Sequence, residues 1–568
     1  MIERESALLG PEHAASHARS RSDQCAVMRG QRQVPAQGMV ADAADTLAED
    51  AAVVAAADAT NPIDGVAGAG SARLAVSGTI TQAVAAASSV GRWSAPFVIP
   101  VVGITSVLLH TGKVLFWSYE PSTYHDPAHS NDGVAYVWDY KTRTGHKIAS
   151  PENIWCGGQT ILADGRVYIA GGNLRYPDAA APPGKRSWEG ALSTYTFNPL
   201  KGTWTRQPDM AHGRWYPTVT QLADNRVLVL SGLTETGSGA LNNGVDLFTP
   251  SASIDGVGTL RSVGTHAGSG LYPPQFLLPS GNLLQAGHAA ANSMQLNPST
   301  WNWSMLPSLL KSHQGLGNGI SYTNLSGSVP HQVIVIAGGF TGGVAQADNE
   351  ALDGFHPDAG WKPYAQWRTP RHNSNTVILP DGSFLTVGGN KAGSSYGQPV
   401  FDSELYMRNS GGTGGRWETV APHAIQAAYH SSAILLPDAT VLLSQDDMDS
   451  SEAAAARHKA QVYSPPYLFR GARPKIVSVP GQLAPGQEFT VTTDRAGMSS
   501  VMLVAPGAVT HGNDMHQRAI KLSVRASGAG LVAHVPKTTA LVPPGYYMLF
   551  VIDSKGIPSV ATFVHITG

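Results

Sequence analysis

From Trp93 onward the chain repeats one pattern: an apolar run, a turn such as Asp-Gly, a second apolar run and often a closing Gly-Gly. The copies read LLHTGKVLFWS from Leu108, ILADGRVYIAGG from Ile161, QLADNRVLVLSG from Gln221 and LLPSGNLLQAGH from Leu277, then VPHQVIVIAGG from Val329, ILPDGSFLTVGG from Ile378 and LLPDATVLLSQ from Leu435. Two short apolar runs joined by such a turn predict a β-hairpin. Successive copies start 53, 60, 56, 52, 49 and 57 residues apart, close to one propeller blade each. A second mark travels with the first, a later strand followed by a turn ending in Trp204, Trp301, Trp361 or Trp417. Its fixed place in the repeat predicts that these tryptophans pack between blades. Seven units predict a seven-bladed, kelch-type β-propeller, a closed ring with few free strand edges.

Two stretches fall outside the repeat. Residues 471–568 alternate apolar and polar positions in about seven short strands, among them KIVSV, EFTVTT, SVMLVA, AIKLSV, YYMLFVID and VATFVHI. About 100 residues in that pattern predict an immunoglobulin-like sandwich. Residues 1–88 are rich in Ala, Ser, Asp and Arg and hold no Trp or Tyr, so they predict a low-complexity, disordered tail rather than a core. The expected organisation is therefore all-β: a tail over 1–88, a propeller over 89–470 and a sandwich over 471–568.

Composition narrows the functional classes. Only 14% of the 568 residues are charged, while 62 are Gly and 38 are Pro, against about 25% charged in an average chain. That balance excludes a helical bundle or coiled coil. A net charge of −2 without long blocks of one sign gives no support to a nucleic-acid partner. The two cysteines, Cys25 and Cys156, are too few for a disulfide framework or a Cys-rich zinc site. The least polar stretch, Ala95 to Leu109, is broken by Pro100 and Gly103 and is too short to span a bilayer. The first residues lack the charged start and apolar run of a secretory signal. There is no HExxH helix, P-loop or GxSxG elbow.

Propellers bind ligands where the innermost strands converge on the central channel. The stretches leading into those strands contain Cys156 in NIWCGGQTILADG, Tyr216 in GRWYPTVTQLADN, and Tyr429 with His430 in QAAYHSSAILLPD. Imidazole and phenolate together suit copper(II) better than zinc or magnesium. One more nitrogen is wanted, and the AVTHGNDMHQRAIKL loop of the sandwich offers His511 and His516. His212, His313 and His372 precede other repeat units and read as channel-wall residues; His516 reads as solvent-facing.

Six segments, WCGGQTILADGRVYIAGGN, RWYPTVTQLADNRVLVLSG, YHSSAILLPD, VYSPPYLFRGARP, VTHGNDMHQRAIKL and VPPGYYMLFVIDSKGIPSVA, together resemble the copper radical oxidases, the galactose oxidase and glyoxal oxidase family. The resemblance runs in order from about Trp93 to Gly568. It implies one copper ion held by Tyr216, Tyr429, His430 and His511, and a Cys156–Tyr216 thioether that carries a radical. His511 rather than His516 is implied because it follows Thr510 in the family's frame. Cys156, Tyr216 and Tyr429 are then the catalytic groups, Tyr429 as general base. The implied reaction is two-electron oxidation of a primary alcohol or small aldehyde, with dioxygen reduced to hydrogen peroxide. Small-molecule or carbohydrate substrates and dioxygen are the implied partners, and a secreted, periplasmic or cell-surface location is implied for the protein. One departure stands out: no tryptophan follows Tyr216 closely to stack on it, which leaves Trp155, Trp215, Trp303 and Trp367 as candidates for that shield. The alternative from another class is a non-catalytic kelch-type propeller that binds a protein or glycan.

Overall fold

A computed structural model describes residues 86–124, 126–266, 269–287, 291–313, 317–409, 414–448 and 457–568. Cys25 and all but the end of the 1–88 tail lie outside the described residues.

The first six repeat units each contribute four antiparallel strands to one blade; four blades are separate four-stranded sheets, while the sheets of the first and fifth continue into strands of the sandwich and the seventh has five strands. The first six blades open with inner strands Thr105–Leu108, Gly158–Ile161, Thr218–Gln221, Gln275–Leu277, Asn318–Asn324 and His372–Ile378. The seventh takes three strands, Ala433–Leu435, Val441–Ser444 and Lys459–Ser464, from the end of the repeat region. Its outer edge comes from Arg92–Trp93 and Phe97–Val98, both paired with the Lys459–Ser464 strand, so the two ends of the propeller are stitched in one sheet. Inner strands are buried on both faces, as in Gly158–Ile161, whereas outermost strands such as Thr144–Ala149 are largely exposed. The apolar runs of the repeat are therefore the inner hairpins.

The hairpin turns explain the Asp-Gly signature. Gly112, Gly165, Gly281 and Gly382 have φ between 82° and 87°, and Asn225 and Ala439 hold the same place at 68° and 67°. Glycine adopts that left-handed conformation without a Cβ clash. The repeated tryptophans lean on the preceding blade. The indoles of Trp204, Trp361 and Trp417 donate to Ala149 O, Ser293 Oγ and Ala365 O at 2.8, 2.7 and 2.9 Å, and Trp301 lies under Arg226 and Arg261.

The sandwich packs two sheets around Phe489, Val491, Leu503, Leu531, Leu549 and Val564. The stretch AIKLSV, expected as one strand, divides into Ala519–Lys521 in one sheet and Val524–Ser527 in the other. Ala519–Lys521 also pairs in parallel with Asn318–Asn324 of the fifth blade, so the chain must leave that sheet before it can complete the second. Just upstream, the hairpin of Ala508–Thr510 and Asn513–Asp514 leaves the sandwich and pairs with the inner strand of the first blade, Thr105 opposite Thr510. A sandwich hairpin thus lies among the propeller's inner strands. Among the described residues no helix is long and apolar enough to cross a membrane.

Candidate metal centre

The repeat places the functional side chains by one local device. Five positions before the last residue of the inner strand stand Cys156, Tyr216, Tyr272, Asn373 and His430, in blades two, three, four, six and seven. All five have a left-handed backbone, with φ of 61°, 67°, 46°, 55° and 66°. In a regular strand, consecutive side chains point to opposite faces. A left-handed residue breaks that alternation and turns two neighbouring side chains the same way. Trp215 and Tyr216 accordingly stack at 3.7 Å between ring centroids, and Tyr429 and His430 at 3.8 Å. The sandwich hairpin adds His511, also left-handed at φ 51°.

These residues meet. The Tyr216 hydroxyl contacts the Tyr429 hydroxyl and lies 2.8 Å from His511 Nε2. Cys156 Sγ is 3.8 Å from the same nitrogen, and the ligand atoms of Cys156, His430 and His511 all fall within 4.8 Å of one another. The His430 and His511 rings stand at 88° with centroids 4.6 Å apart. None of the five sequence-predicted residues exposes more than 2% of its surface, so the cluster is shut off from bulk water. Burial pushes the Cys156 thiol and the Tyr216, Tyr429 and Tyr272 phenols well above their ordinary pKa values. Such groups ionise only if a cation supplies the missing solvation.

The donor set fits a metal ion. His430 Nε2 is buried with no hydrogen-bond partner among the described residues, while its Nδ1 is 2.6 Å from Asp447 Oδ2. Thr510 Oγ1 is 2.7 Å from His511 Nδ1, leaving Nε2 turned into the cluster. Burial alone would raise the Asp447 carboxyl, but His430 and the hydroxyls of Tyr396 and Tyr119 outweigh it and hold the pKa below the usual value. Two imidazoles, two phenols and a thiol form a set that suits copper.

Several expectations are corrected or completed. His516 is not solvent-facing: it is buried, with Nδ1 2.9 Å from Thr160 Oγ1, because its hairpin lies inside the propeller. Burial and then the Arg518 charge push its pKa well below the ordinary value. His212 is exposed beside Glu235 rather than lining the channel, whereas His313 and His372 are buried against Gly338 O and Ala392 O. Of the four shield candidates, Trp215 stacks on Tyr216; Trp155 is edge-on to His430, Trp303 stacks on His266 and Trp367 packs near Trp417. Sequence reasoning missed Trp188, stacked on Trp215 at 4.8 Å, and Tyr272, stacked on Tyr216 at 4.4 Å. Tyr272 had a signal: LYPPQFLLPSG places a Tyr-Pro pair where the preceding repeat has WYPTVTQLADN.

Comparison with known proteins agrees with this geometry. The glyoxal oxidase N-terminus family matches residues 121–467, and the galactose oxidase-like early set domain matches residues 473–566. A galactose oxidase of Gibberella zeae is 24% identical over 84% of this chain and 71% of its own. The aldehyde oxidase GLOX of Vitis pseudoreticulata is 27% identical over 76% of this chain and 85% of its own. In fold, the chain resembles a fungal alcohol oxidase solved in complex with copper, with a TM-score of 0.69 at 22% identity over 84% of this chain and 100% of that one. With the family's propeller and early-set regions matched in order, and a Cys/His/His cluster suited to copper between them, the chain belongs to the copper radical oxidase family of galactose oxidase and glyoxal oxidase.

Proposed function

We propose that Tyr216, Tyr429, His430 and His511 hold one copper ion, that Cys156 and Tyr216 are joined by a thioether, and that the protein oxidises a primary alcohol or small aldehyde. In this reading residues 89–470 carry most of the site and residues 471–568 supply His511. The observation that carries it is the Tyr216 hydroxyl in contact with Tyr429 and His511, with Cys156 Sγ beside the same His511 nitrogen. When bound, copper supplies a Lewis acid and one of the two electron stores the reaction needs.

The chain's own residues do the rest. Tyr429 accepts the proton of the substrate hydroxyl as general base. Tyr216, once linked to sulfur, is easier to oxidise than an ordinary phenol and serves as the second one-electron store, taking a hydrogen from the substrate carbon. An alcohol thereby loses two hydrogens to become an aldehyde, and dioxygen gains two to become hydrogen peroxide. A hydrated aldehyde becomes a carboxylic acid by the same exchange. Trp215 and Tyr272 cover the two faces of the Tyr216 ring, which keeps water from an oxidised phenol.

Peptide mass spectrometry tests the reading. Protein produced without copper and then incubated aerobically with copper(II) should yield the Cys156 and Tyr216 peptides joined and two hydrogens lighter, those of the thiol and one ring carbon. Copper bound with the peptides still separate would remove the radical mechanism.

A further inference from the structure

We propose that Asp447 is a positioning residue of the metal centre: its carboxylate, itself fixed by Tyr119 and Tyr396, holds His430 in the tautomer that leaves Nε2 free for the ion. The inference rests on reading His430 as a copper ligand.

Asp447 lies just past the strand Val441–Ser444 of the seventh blade and is 2% exposed. Its Oδ2 is 2.6 Å from His430 Nδ1 and accepts from the Tyr119 hydroxyl at 3.0 Å, while Oδ1 accepts from the Tyr396 hydroxyl at 2.6 Å. The holders come from different blades. Tyr119 ends a strand of the first blade, and Tyr396 follows the second strand of the sixth. Tyr119 is immobilised in turn by stacking on Tyr124 at 3.8 Å and by an edge contact with Trp155. The neighbouring Asp446 fastens this segment to the site, since its carboxylate accepts from Ala428 N at 2.8 Å, just before Tyr429 and His430.

An ionised carboxylate only accepts hydrogen bonds. With Oδ2 against Nδ1, the imidazole proton sits on Nδ1 and the lone pair on Nε2, which is buried and has no hydrogen-bond partner among the described residues. A carboxylate on the distal nitrogen also makes an imidazole a stronger ligand. His511 is set differently: its Nδ1 meets the hydroxyl of Thr510, which is uncharged and is able to donate as well as accept. The two imidazoles are therefore unequal, and the carboxylate-backed His430 is the stronger donor.

The test is copper(II) titration of the copper-free, full-length protein, with the electron paramagnetic resonance spectrum of the bound ion and the thermal midpoint of the copper-free protein read alongside. Asp447→Asn should weaken copper binding by about 10- to 100-fold and alter the nitrogen hyperfine pattern. Tyr396→Phe, which keeps the charge but removes one holder, should shift both in the same direction by less. A folded Asp447→Asn protein with wild-type affinity and spectrum overturns the proposal. Should Asp447→Asn fail to fold, Tyr396→Phe decides: an unchanged affinity and spectrum overturn the proposal, and weakened binding with a shifted spectrum supports it. His430→Ala separates the two levels, because wild-type copper binding in that variant overturns the ligand reading itself.

Discussion

Cys156, Tyr216, His430 and His511 each occupy a backbone region that costs an L-residue about 1–2 kcal/mol. Strain of that kind persists where the surrounding structure over-determines it, and it gathers at functional sites. Here it lets a single blade present two adjacent side chains to one place, as with Tyr429 and His430. Tyr429 is also the group whose removal is cleanest to read. Tyr429→Phe keeps the ring stacked on His430 and deletes only the hydroxyl that meets Tyr216. Loss of a general base lowers rates by about 10²–10⁴-fold, so kcat/KM of the copper-loaded variant should fall into that range. The joined Cys156–Tyr216 peptide mass should persist, because neither partner is altered. A variant turning over at the wild-type rate would remove Tyr429 from the base role.

Three blades share a second device, a buried contact between a basic side chain just before the inner strand and a carboxylate of the third strand, which in two of them is an arginine ion pair. Arg214 meets Asp246 at 2.7 Å, His313 meets Glu350 at 3.2 Å and Arg371 meets Glu404 at 2.7 Å. The carboxylates also cap the chain as it enters the blade, Glu404 accepting from Arg368 N and Thr369 N and Glu350 from Leu310 N and Lys311 N. Breaking such a pair from one side leaves a charge buried without its partner, at about 3–5 kcal/mol. Glu404→Ala should therefore lower the urea midpoint of unfolding markedly. A midpoint equal to that of the wild type would show that Arg371 is satisfied by the carbonyls of Thr369, Gly388 and Asp402 without the carboxylate. This device had no reading in the sequence, although the hairpins beside it did. A hairpin announces itself locally, through two apolar runs and a turn, whereas Arg371 and Glu404 are 33 residues apart and are paired only by the blade's closure. The same difference explains why Cys156, Tyr216, Tyr429 and His430 were found by motif while Asp447, Tyr119 and Tyr396 were not: their convergence needs three blades to be in place.

The hairpin carrying His511 makes the centre a property of the whole molecule. Its loop was legible in the sequence, but nothing in the spacing fixed how far it reaches; that follows from Thr510 pairing opposite Thr105 and from Ala519 pairing opposite Tyr322. The one ion proposed to be held by Tyr216 of the third blade, Tyr429 and His430 of the seventh and His511 of the sandwich would add a further tie between two parts that already share a sheet and a hydrophobic cluster. A ligand that binds only the folded state adds about 2.7 kcal/mol of stability at one hundred times its dissociation constant, so copper should raise the thermal midpoint of the wild-type protein. His511→Ala removes the only proposed ligand contributed by the sandwich, and copper should then raise the thermal midpoint by less than it does in the wild-type protein. The copper-free variant should keep the hairpin in place, because its strand pairing with the first blade is made by backbone groups. Calorimetry of the two proteins with and without copper reads this directly. Equal copper-dependent shifts in the wild-type and His511→Ala proteins would mean that His511 is not a ligand.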